Sequence, residues 1–105
     1  MVRVKENASI QLRTGHLLRV HGYLNMAILS MWMMSPRADA LMGMAEASVR
    51  GKGPGGSDEE LLEQLRALIR ESCEYLAEED FPPAIGRMRV AQDLTALGII
   101  RLSGE

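Results

Sequence analysis

The twelve residues from Tyr23 to Met34, YLNMAILSMWMM, contain only two plainly polar side chains, Asn25 and Ser30. They continue a helical pattern that starts upstream, but here the apolar residues leave their stripe and cover nearly the whole circumference. A helix that is apolar all round has to be enclosed, by its own fold or by another chain. A chain of 105 residues buries roughly 65% of its unfolded surface. Enclosure partly by its own neighbours and partly by a second copy is therefore the expectation.

The length fits one helical domain over residues 1–105. Tyr23, Trp32, Tyr75 and Phe81 are the only aromatic residues, so the core has to be built from Leu, Ile, Ala and Met. Of eight methionines, six fall between Met26 and Met44. Methionine is flexible and polarizable, which suits irregular gaps and adaptable surfaces. A net charge of −2 lacks the basic surplus of a strong nucleic-acid binder. The single cysteine, Cys73, has no internal disulfide partner and reads as a reduced thiol in a cytoplasmic protein. Arg19, His21 and Asn25 interrupt the apolar stretch 17–34, which argues against a membrane span. Arg3 and Lys5 ahead of that stretch resemble a secretory leader, but Glu6, Arg13 and Arg19 make the leading region too long and too mixed.

The expected architecture is all-α, a four-helix bundle or helical array with one long N-terminal helix and short extended ends. Residues 1–6 alternate weakly and read as a strand or a frayed end. Asn7 is a plausible N-cap for apolar residues at helical spacing: Ile10, Leu17, Val20, Leu24, Ile28 and Met31. A start at Thr14, with residues 8–13 extended, is the alternative. Ser35-Pro36 restarts a second helix, with Ala38, Leu41, Met42, Ala45 and Val49 on one face. The glycine-rich segment 51–56, GKGPGG, is a flexible loop. It lacks the spacing of a phosphate loop. Ser57 and Glu60 form a capping box for a third helix running to about Glu79, its stripe drawn through Leu61, Leu65, Leu68, Ser72 and Leu76. Glu78, Glu79 and Asp80 crowd its C-terminal end, where the helix dipole disfavours anions. Arg87, Arg89 and Arg101 are the cations expected to offset them. Pro82-Pro83 presets a fourth helix over 83–97, closed by Gly98 in a Schellman cap with Leu94 against Ile99.

His21 lies on the apolar side of the first helix, with Asn25 one turn later. Over about five residues this pair resembles the phospho-accepting helix of two-component histidine kinases and phosphotransferases, with Gly22 where those helices carry an acidic neighbour. The resemblance implies phosphotransfer at His21; the residues alone imply a core or interface histidine bonded to Asn25 or to a partner. His16 and His21 point about 140° apart on a helix, so they share no metal, and neither a metal nor a cofactor is expected. The serines, histidines and Cys73 show no elbow or triad spacing. The stretch from Arg89 to Arg101 resembles the end of a winged-helix recognition helix, which implies DNA contacts from Arg87, Arg89 and Arg101 and a wing strand after Gly98.

The resulting expectation is a non-enzymatic interaction or regulatory protein, an adaptor or assembly factor. It is expected to be a homodimer through Ile28, Met31, Trp32, Met34, Met42 and Met44. A DNA-binding regulator is the first alternative and phosphotransfer at His21 the second.

Overall fold

A computed structural model describes the backbone of residues 2–51, 53 and 59–104, and side chains from Ala8 onward. Among the described residues there are four helices and no strand: α1 (Val2–Trp32), α2 (Arg37–Val49), α3 (Glu59–Ala77) and α4 (Phe81–Ser103). Each helix packs against the next, and α4 returns to pack against α1, so the four form a closed ring. Pairs between α1 and α4 run in opposite directions along the chain: His21 with Thr95, and Asn25 with Gln92. By that register Ser103, at the end of α4, falls opposite about Arg13 on a helix rising 1.5 Å per residue. The first turns of α1 therefore extend past the end of α4.

Helix is already present at Val2, so neither the strand at residues 1–6 nor the start at Thr14 forms. Arg3, Lys5, Glu6 and Ala8 are good helix formers and outweigh the two valines. Asn7 lies inside the helix and is not its N-cap. The core takes Leu17, Val20, Leu24, Ala27 and Ile28 from α1, and Ala38, Met42, Ala45 and Val49 from α2. From α4 it takes Ala84, Met88 and Ala91. In α3 the buried line is Leu62, Leu65, Ile69, Ser72 and Leu76. Leu61 and Leu68, placed on the stripe by spacing alone, lie at its edges.

Two helix ends share one device. Met34 N–H donates to Met31 O at 3.0 Å and Ser35 N–H to Ser30 O at 2.7 Å. At the end of α3, Glu79 N–H donates to Leu76 O at 3.0 Å and Asp80 N–H to Tyr75 O at 2.9 Å. Both are Schellman motifs, which need a left-handed residue that is usually glycine. Here Met34 (φ 55°) and Glu79 (φ 59°) fill it. Pro36 and Pro82 follow closely and prevent the helices from continuing. α2 starts at Arg37 with Pro36, not Ser35, in the N-cap position and no side-chain cap; Ser35 Oγ accepts the Arg37 N–H at 3.3 Å across the turn. The loop 51–56 and the capping box at Ser57 lie outside the described residues, apart from Gly51, Gly53 and Glu60.

Gly98 does not close α4. It is buried inside a helix that runs on to Ser103, so the Schellman contact between Leu94 and Ile99 does not form and Ile99 to Leu102 are not extended. A Cβ at Gly98 would lie 2.9 Å from both Leu17 Cδ1 and Leu61 Cδ2. The missing side chain is what lets α4 sit close to α1 and α3 there. The acidic group Glu78 to Asp80 occupies the turn between α3 and α4, and Asp80 stands at the N-terminus of α4. That helix end favours negative charge and offsets part of the crowding expected from the sequence. None of the three expected arginines is bonded there: Arg87 Nε donates instead to Glu71 Oε2 at 3.1 Å.

Candidate functional site

The sequence-marked segment from Tyr23 to Met34 divides into an inner and an outer part. Leu24, Ala27 and Ile28 are buried, and Tyr23 and Met31 pack against the core. Trp32, Met33 and Met34 are 64%, 79% and 90% exposed, and Met26, Leu29 and Met44 are about half exposed or more. Two residues expected at an interface are therefore core residues. Ile28 and Met42 face inward because they share the 3–4 spacing of Leu24, Ala27 and Leu41, Ala45. Trp32, Met34 and Met44 are at the surface, and Met31 is half buried. Counting apolar residues around the circumference gave no separation of these two faces; the spacing from Val20 and Leu24 does.

His21 is half buried between α1 and α4. Its Nδ1 lies 3.0 Å from Thr95 Oγ1, and that hydroxyl donates its own proton to Gln92 O at 2.7 Å. The hydroxyl thus accepts, and His21 carries its proton on Nδ1. Asn25 turns away from His21: its Oδ1 accepts from Gln92 Nε2 at 3.4 Å. Of the bonds read from the sequence for His21, to Asn25 or to a partner, the one to Asn25 does not form, and the two residues make separate links to α4.

Sequence reasoning missed a clamp on the C-terminal end of α2. His16 is buried and donates from Nε2 to Ser48 O at 2.6 Å. Arg66 Nε donates to Val49 O at 2.5 Å, and its Nη2 donates to Gly51 O. The last carbonyls of a helix have no partner within it, and these two side chains supply one from α1 and one from α3. His16 Nδ1 has no hydrogen-bond partner among the described residues. The only local signal was a histidine and an arginine on helices whose neighbours were unknown.

The arginines do not converge. Arg87 is held by Glu71 and stacks 4.7 Å from the centre of the Tyr75 ring. Arg89 and Arg101 are exposed, and Arg101 is about 21 Å along the helix from Arg87 at 1.5 Å per residue. With α4 continuing as helix, no wing strand follows Gly98. Among the described residues no three His, Cys, Asp or Glu side chains gather as a metal site. Among the described residues no helix is long and apolar enough to cross a membrane. A cleft of about 240 Å³ opens beside Gly98, lined by Glu60, Leu61, Gln64, Leu94, Leu97 and Arg101. Pockets for small molecules usually exceed about 300 Å³ and enclose their ligand.

The exposed apolar rim is thus the surface that most needs an explanation. No protein-family model matches the chain, and no curated protein or solved structure matches it significantly.

Proposed function

We propose that this chain is a non-enzymatic helical interaction protein, an adaptor or assembly factor of the cytoplasm. It acts as a homodimer through the outer surface of the long first helix and the methionine-rich turn that follows. Met34 carries the reading. It is 90% exposed and stands in a left-handed conformation that disfavours a side chain by about 1–2 kcal/mol. Glycine would end the helix better, and a polar residue would suit the solvent better. A large flexible apolar group held there at a double disadvantage points to use by something that binds it. The histidines support a non-catalytic reading, since each directs a ring nitrogen to a structural partner, Ser48 O or Thr95 Oγ1.

The test is sedimentation velocity on the wild type beside a Trp32→Glu, Met34→Glu double variant. Both side chains are at the surface, so the variant should keep its helical circular dichroism. The wild type should sediment as a dimer and the variant as a monomer. A wild type that stays monomeric at high micromolar concentration would sink the proposal.

A further inference from the structure

We propose that His16 makes the junction of α1 with the end of α2 an acid-released latch, closed while the ring is neutral and released when it takes a second proton. This goes beyond the self-association reading and does not rest on it. The two histidines of the chain make a matched comparison. His16 is 9% exposed, and its Nε2 uses the single proton of a neutral ring to reach Ser48 O at 2.6 Å. A second proton has to go on Nδ1. Among the described residues, that atom is the one buried side-chain nitrogen or oxygen with no hydrogen-bond partner. His21 is arranged the other way round. Its Nδ1 is engaged by Thr95 Oγ1, the ring is only half buried, and its Nε2 is not among the buried atoms that lack a partner. Water can therefore accept from a second N–H at His21 and not at His16.

Among the described residues, the charges around His16 supply no counter-ion for the acid form. On α1, Arg13 and Arg19 stand three residues before and after it, and Tyr23 lies about two turns on along the same face. On α2, Glu46 is held by Arg50 at 3.4 Å, both at the surface. On α3, Arg66 donates to Val49 O, the carbonyl next to that of Ser48, and Glu59 is paired with that arginine at 3.7 Å. α4 packs on a different side of α1, through Gly98 against Leu17 and Thr95 against His21. Its Arg101 lines the cleft with Glu60.

The C-terminal end of a helix attracts a cation, but at α2 the Arg66 guanidinium already fills that place. A doubly protonated His16 would be a second cation on the same turn. A buried charge without a counter-ion and an N–H without an acceptor together shift an equilibrium by about tenfold or more. The closed latch therefore admits only the neutral ring. As pH falls through the range in which histidine changes charge, the ring leaves Ser48 O and the last turn of α2 keeps only its tie to Arg66.

Urea unfolding at about pH 8 and pH 5, at one protein concentration, tests this in the wild type, His16→Gln and His21→Gln. Glutamine can donate to Ser48 O from its own Nε2 and does not titrate. Between the two pH values the unfolding constant of the wild type should rise about tenfold more than that of His16→Gln. His21→Gln should follow the wild type. Equal rises in the wild type and His16→Gln overturn the proposal, as does a pH effect that disappears in His21→Gln. Amide exchange on the wild type alone decides the matter if His16→Gln does not fold. Protection factors from Ala45 to Val49 should fall about tenfold over the same pH interval; unchanged protection there overturns the latch.

Discussion

Met34 and Glu79 hold the same backbone position at two helix ends, and both depart from what the motif prefers. Replacing either with glycine removes a strained side chain, offset in part by the greater freedom glycine gives the unfolded chain. Glu79→Gly should raise stability by about 0.5–1 kcal/mol in urea denaturation. Met34→Gly should do so only at dilutions where the protein is monomeric, because the dimer loses a contact there. A loss for Glu79→Gly would mean its side chain contributes contacts that outweigh its strain. Cys73 belongs to the same scale. Burial pushes its thiol up from the ordinary range, and Glu46, Asp39 and Glu74 add to the effect. The fold therefore prefers the protonated thiol. Stability is unaffected below the unfolded thiol's pKa, then falls as pH rises above it, until the folded thiol ionises too. Iodoacetamide at mildly alkaline pH should alkylate the native protein several-fold more slowly than the urea-unfolded chain, since the thiolate is the nucleophile. Equal rates would contradict that.

At the scale of elements, Gly86 and Gly98 form an internal control on α4. Gly86 is exposed, and a Cβ there meets nothing within 4 Å, whereas one at Gly98 strikes Leu17 and Leu61. Gly86→Ala should stabilise by up to about 1 kcal/mol through helix propensity. Gly98→Leu should destabilise by about 1–3 kcal/mol or more through overpacking. Thermal melts of the two variants that moved in the same direction would refute the close-packing account. The breaks at Ser35-Pro36 and Pro82-Pro83 were legible because proline and capping act through local geometry. Gly98 was not, because a glycine after an apolar stripe looks the same whether it ends a helix or admits a neighbour. The difference lies in Leu17, some eighty residues away. His21 is a similar case: its spacing placed it on the apolar side, but Thr95 is its partner only through the return of α4 to α1. The stripe of α3 slipped because Leu61, Leu62, Leu68 and Ile69 are adjacent apolar pairs, and only the packed neighbours decide which of each pair is central.

For the whole molecule, a radius of gyration of 14.3 Å slightly exceeds the roughly 13 Å of a compact chain this long, in keeping with the projecting start of α1. Association through the outer face of α1 should couple to folding by mass action, so the melting temperature should rise with protein concentration. A midpoint constant over a hundredfold dilution series would argue for a monomer. The link between His21 and Thr95 has a consequence for the assembly of the ring itself. If α1 slid along α4 by one heptad, His21 would meet Met88 or Leu102 in place of Thr95, and its Nδ1 proton would lose its protein acceptor in a half-buried seam. A fully buried unmet donor costs about 1–3 kcal/mol and a half-buried one a part of that, a penalty that falls on misaligned bundles and spares the native one. The imidazole thus works as an alignment pin: removing it should broaden the choice of arrangements more than it weakens the correct one.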